Sequence, residues 1–124
     1  MKKILLGLHD KEGLEDFFRM FFRFNTCEIE VERTPGGIEK RLSSGEYDMC
    51  IMEANHGKPG SEDVNPAKSA YDLVREKVEA EKMAFLAISS MPEAVENARR
   101  YGIPAAEKPF KLGALDYLLR SLKS

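Results

Sequence analysis

Two short stretches of this 124-residue chain put chemically capable groups at the ends of apolar segments. Tyr47-Asp48-Met49-Cys50-Ile51-Met52-Glu53 reads as a buried strand that ends in a carboxylate. Glu107-Lys108-Pro109 follows the short apolar segment Ile103 to Ala106. If both segments are strands of one parallel sheet, the Lys108 ammonium can approach the Glu53 carboxylate. His9 and Asp10 follow another apolar run, and Ser89 and Ser90 follow a further one. Carboxylates, a hydroxyl and an ammonium gathered at one edge suit acyl-phosphate chemistry. One carboxylate attacks a phosphoryl donor, others hold a divalent cation, and the ammonium and hydroxyl bind phosphoryl oxygens.

The elements that must position these groups are legible from periodicity. Lys3 to Leu8 is a short apolar run, the pattern of a strand buried on both faces. Leu14, Phe17, Phe18, Phe21 and Phe22 have the spacing of an amphipathic helix, with Met20 and Phe24 off its apolar stripe. From Thr26 to Arg33 the chain alternates, Cys27, Ile29 and Val31 on one face and Glu28, Glu30 and Glu32 on the other. That alternation marks a strand with one wet face, hence a sheet edge. Pro35-Gly36-Gly37 predicts a break before a helix from Ile38 to Ser44, which Gly45 ends.

Met49 to Met52 is the third strand, and Ala54 to Pro66 is polar and Pro/Gly-rich, so it reads as a loop. Asn65 is expected to cap a third helix with Pro66 in its first position, and Ala70, Leu73, Val74 and Val78 form its apolar side. Phe85 to Ile88 is a fourth strand, and Pro92 to Tyr101 a helix closed by Gly102. Ala105-Ala106 is a fifth strand, and Leu112, Leu115, Leu119 and Leu122 mark a fifth helix. Regular alternation of strand and helix predicts a three-layer, doubly wound α/β fold. It is flavodoxin-like, (βα)5, with strand order 2-1-3-4-5, and one domain spans residues 1–124. In that order the alternating second strand falls at the edge, as its wet face requires.

Composition narrows the partners. The chain is 43% hydrophobic and 32% charged, as in folded globular proteins, and its net charge of −2 gives no electrostatic case for nucleic acid. Met1-Lys2-Lys3 leads into an apolar run too short for a signal peptide, and no stretch approaches the ~20 apolar residues of a membrane helix. The cytoplasm is therefore expected. Cys27 and Cys50 lack metal-type spacing and read as buried free thiols. Gly57-Lys58-Pro59-Gly60 lacks the spacing of a phosphate-binding loop. With no nucleophile–base pair either, the chain is not expected to be an enzyme.

Four segments give the chain a resemblance to a known family. They are Ile4-Leu5-Leu6-Gly7-Leu8-His9-Asp10, Tyr47 to Glu53, Ala87-Ile88-Ser89-Ser90 and Glu107-Lys108-Pro109-Phe110. Together they resemble the receiver domains of two-component response regulators, over essentially the whole chain. The resemblance puts Glu53 in the place of the phosphoaccepting aspartate and His9-Asp10 in that of the acidic pair that holds Mg²⁺. Ser89 matches the switch serine or threonine, and Lys108 the invariant lysine. It also implies a phosphorelay partner, a sensor kinase or a downstream effector, and allows a homodimer. The face formed by the fourth helix, fifth strand and fifth helix would then carry Arg99, Arg100, Tyr101 and Lys111.

The departures from the family pattern shape the functional expectation. Asp10 is the only acid left of the pair, and Glu53 carries its carboxylate one methylene further out than aspartate does. Ala105 stands where the family usually has the aromatic that reports the switch, and the loop after Glu53 is longer than usual. In-line phosphoryl transfer tolerates little displacement. The expectation is a receiver-like interaction module not switched by aspartyl phosphorylation, with Glu53 paired to Lys108. It would carry no cofactor, or Mg²⁺ held weakly by Asp10 and Glu53. Two alternatives are a phosphorylatable, Mg²⁺-dependent receiver accepting phosphoryl on Glu53, and a metal- or small-molecule-binding domain using His9, Asp10, Glu53 and His56.

Overall fold

The computed structural model describes residues 2–9, 14–23, 27–56, 62–108 and 112–122, leaving aside the side chains of 112–115 and 122. Asp10, Phe24, the 57–60 segment, Pro109, Phe110 and Lys111, all singled out from the sequence, lie outside the described residues.

Strands and helices alternate along the chain. They are β1 (Lys2–Gly7), α1 (Leu14–Phe22), β2 (Cys27–Glu32), α2 (Pro35–Ser44), β3 (Met49–Glu53), α3 (Asn65–Glu79), β4 (Ala84–Ser89), α4 (Pro92–Arg100), β5 (Ala105–Glu107) and α5 (Leu112–Leu122). The five strands form one parallel sheet in the order β2-β1-β3-β4-β5, the order expected from the sequence. Side chains alternate across the central strands, so each contributes to two separate cores. Ile4, Leu6, Met49, Ile51, Leu86 and Ile88 pack with Phe18 and Phe22 of α1 and Leu118 of α5. Leu5, Cys50, Met52, Phe85 and Ala87 pack instead with residues of α2, α3 and α4. Burial on both faces is why these strands read as unbroken apolar runs.

The edge strand β2 is amphipathic as predicted. Cys27, Ile29 and Val31 pack against the α1-side core. On its other face Glu30 pairs with Lys3 at 3.2 Å and Arg41 at 2.6 Å and accepts from the Tyr47 hydroxyl at 2.6 Å, while Glu32 pairs with Arg41 at 2.7 Å. Cys27 is only half-buried, and Cys50 is the buried thiol.

Several local expectations are corrected. Helix α2 starts at Pro35 and not at Ile38, because the Thr34 Oγ1 caps it by accepting from the Gly37 N–H at 3.0 Å. Pro35 then occupies the first helical position, where its missing N–H costs nothing, and the glycines join the first turn. Helix α3 includes Asn65, which therefore is not its cap. Asp63 supplies the acceptor two residues earlier, taking the Asn65 N–H at 2.9 Å. The buried side of α3 is Ala67, Ala70, Tyr71 and Val74, which leaves Leu73 49% exposed. In α5 it is Leu118 that is fully buried, and Leu119 is half-buried. In α3 the expected Ala70 and Val74 are buried and Val78 packs against the same core, while Tyr71 goes inward in place of Leu73. On α1, Phe18 and Phe22 enter the core, while Phe17 and Met20 remain exposed.

Close packing of α2 onto the sheet depends on Gly7. A Cβ there would lie 2.5 Å from Ile38 Cδ1 and 2.9 Å from Met52 Cβ. Among the described residues no helix is long and apolar enough to cross a membrane.

Candidate functional site

Register alone gathers the site. Gly7 of β1 pairs with Met52 of β3, Glu53 with Ile88 of β4, and Ser89 with Glu107 of β5. His9, Glu53, Ser89 and Lys108 therefore stand at the carboxyl edge of four strands, around the point where strand order reverses. The Lys108 N–H donates to the Ser89 carbonyl at 3.0 Å and seats the lysine beyond the end of β4.

Both oxygens of Glu53 are in use. Its Oε1 accepts from the Lys108 ammonium at 3.2 Å, and the two side chains are only 13% and 17% exposed. Its Oε2 accepts from the His9 backbone N–H. The serine hydroxyl is also engaged. Ser89 is buried, and its Oγ accepts from the Met91 N–H at 3.0 Å, a local turn that leads the chain into α4.

His56 lies at the same edge, in the turn after β3, where its N–H donates to the Glu53 carbonyl at 3.1 Å. Its ring is 1% exposed and meets the His9 ring edge-on, with centroids 5.7 Å apart. Neither ring nitrogen has a hydrogen-bond partner among the described residues. Burial holds this imidazole below its ordinary pKa, the nearby Glu53 carboxylate working in the opposite direction, so it is kept neutral. Sequence placed His56 near the site but gave no sign of its burial, since the segment around it is polar and aperiodic. Among the described residues no three histidine, cysteine, aspartate or glutamate side chains come together in a way that could hold a metal ion.

Asp48, the other acid of the β3 segment, lies at the far end of the strand. Its carboxylate accepts from the Lys3 N–H at 2.8 Å, a structural tie between β1 and β3.

Of the proposed surface residues, Arg99, Arg100 and Tyr101 gather at the C-terminal end of α4. Arg100 is exposed and pairs with Glu96 at 3.3 Å along α4. Arg99 folds onto β5, where Nε and Nη2 donate to the carbonyl of half-buried Ala105 at 3.2 and 3.0 Å. Tyr101 turns toward α3, its hydroxyl donating to Asp72 at 2.9 Å with the Lys68 ammonium and Arg75 guanidinium over its ring. It stands at the C-terminal cap of α4 and stays partly exposed beside these α3 contacts.

No protein-family model matches the chain, and no curated protein does either. Solved structures do match it over nearly its whole length. A two-component response regulator from Clostridium difficile superposes with a TM-score of 0.72 at 15% identity, over 99% of this chain and 96% of that one. The non-phosphorylated HemR receiver domain from Leptospira biflexa gives 0.67 at 23% identity, over 100% and 96%. The chain has the receiver-domain fold. A third receiver domain, from a sensor histidine kinase of Pseudomonas aeruginosa PAO1, gives 0.69 at 17% identity over 99% and 98%, and it holds a magnesium ion in its active-site cleft. On this receiver fold, the Glu53–Lys108 pair lies at the carboxyl edge of the sheet.

Proposed function

We propose that residues 1–124 form one receiver-type signalling domain of two-component signal transduction that is not switched by aspartyl phosphorylation. It acts in the cytoplasm through contact with a protein, a sensor kinase or a downstream effector, or with a second copy of itself, and not through catalytic turnover. The observation that carries this reading is the engagement of both Glu53 oxygens, one by Lys108 and one by the His9 N–H. A carboxylate acting as nucleophile must turn a lone pair into line with phosphorus, and here a donor on each oxygen fixes the group's orientation and draws off part of its charge. Lys108, which would otherwise bind a phosphoryl oxygen, is committed to the same carboxylate. The pair fills the pocket with its own charge.

The donors also suit Mg²⁺ poorly. That ion prefers six oxygens at short range in octahedral array. The described residues offer the occupied Glu53 carboxylate, and at position 9 an imidazole in place of a carboxylate. Any binding through Asp10 and Glu53 is then weak, since the ion must first displace Lys108.

The test is incubation with acetyl phosphate or phosphoramidate and Mg²⁺, read by intact mass, with Glu53→Asp alongside. The expected result is no phosphoryl adduct on the native chain and one on the Glu53→Asp variant. An adduct on the native chain that Glu53→Gln abolishes would instead establish a phosphorylatable receiver working through glutamate.

A further inference from the structure

Helix α4 buries little. Its core side chains are Ala94, Val95 and Ala98, so apolar contact gives it a weak seat on the sheet. Three polar side chains at its C-terminal end tie it to its neighbours through exposed hydrogen bonds. Asn97 Nδ2 donates to the Glu62 carbonyl at 3.1 Å, just ahead of α3. Tyr101, one turn further along the same face, donates to the carboxylate of Asp72 on α3, which Arg75 also holds at 2.9 Å. Arg99 points the other way around the helix, to β5.

The Arg99 contact is specific in its direction. The Pro104 carbonyl faces β4, where it accepts from the Ala87 N–H at 2.9 Å. Carbonyls alternate along a strand, so that of Ala105 faces the open edge of the sheet. The guanidinium closes this edge position with two N–H groups. Three residues further on, β5 delivers Lys108 to Glu53.

We infer that Asn97, Arg99 and Tyr101 strap α4 in a single seat, so that the surface shared by α4 and β5 is presented in one permanent arrangement. The inference deepens the reading of an unswitched domain and rests on it. A partner meets this surface pre-formed, and Arg99 acts as a positioning residue that steadies the strand behind Lys108. The three straps lie on α4 at alternate positions, on opposing sides, so releasing one side frees the helix to rock about the other.

Amide hydrogen exchange on the native chain, Arg99→Ala, and Asn97→Ala/Tyr101→Phe tests this. Thermal unfolding run in parallel shows that each variant is folded. Either variant should exchange roughly ten-fold faster over α4 than the native chain does, with β1 and β3 amides unchanged. In Arg99→Ala the Lys108 amide, bonded to the Ser89 carbonyl, should accelerate as well. Native exchange over α4 within two-fold of both variants would overturn the straps. Addition of acetyl phosphate and Mg²⁺ should leave native α4 exchange unchanged. A phosphoryl adduct with α4 exchange unaltered would overturn the reading of Glu53 as a blocked acceptor and keep the straps, whereas accelerated α4 exchange on treatment would overturn the straps themselves.

Discussion

The Lys108 ammonium reaches past the end of β4 to meet the Glu53 carboxylate at 3.2 Å, although β3 and β5 are not neighbours in the sheet. Both groups are largely withdrawn from water, so each needs the other. Attraction inside such a site is offset by the cost of desolvating two charges, which makes the net contribution of the pair small. Removing one partner is a different matter.

Glu53→Gln keeps the shape and still accepts from the His9 N–H, but strips the countercharge from Lys108. It should destabilise the domain by about 1–2 kcal/mol in urea unfolding at pH 7. Replacing both residues together, Glu53→Met with Lys108→Met, should bring stability back to within about 1 kcal/mol of the native chain. A Glu53→Gln variant as stable as the native protein would mean that the pair is structurally idle.

His56 predicts a pH dependence. Its pKa in the folded chain lies below the ordinary 6.5, chiefly because the ring is buried. The unfolded chain therefore takes up this proton first. The stability involved is fully present above pH 6.5 and is lost as pH falls from there through the folded pKa. The acids held down by their partners, Glu15, Glu30 and Glu32, have ordinary values of 4.5 and lose their contribution lower still. Comparing unfolding at pH 7.5 and 5.5 isolates the histidine. Native protein should lose stability across that interval, and His56→Leu should lose clearly less; equal losses would remove His56 as the cause.

Gly7 is a packing prediction. An added Cβ would collide with Ile38 Cδ1 and Met52 Cβ, so Gly7→Ala should cost about 1–3 kcal/mol. Ile38→Val removes the nearer of the two obstructing atoms. The double variant should therefore be less destabilised than the sum of the singles, a coupling measurable by chemical denaturation.

Much of the scaffold is legible in the sequence. Unbroken apolar runs announced strands covered on both faces, and the one alternating strand announced the edge, which together gave the order 2-1-3-4-5. These readings held because burial of whole elements dominates their periodicity. Finer readings failed where two residues competed for one role. Thr34 captured a helix start expected slightly later, and the sheet took Tyr71 inward in place of Leu73 and Leu118 more deeply than Leu119.

Sequence by itself determined which acids, hydroxyl and lysine end the strands, because a parallel sheet brings its carboxyl ends to one edge. Only tertiary structure decided what those groups do there. A carboxylate has two oxygens, and its partners depend on distances set by four strands and a lysine 55 residues away in the chain. The same holds for the sealed ring of His56 and for Tyr101, whose hydroxyl meets Asp72 of α3. Each is settled by which neighbours close around a side chain, and periodicity carries no record of that.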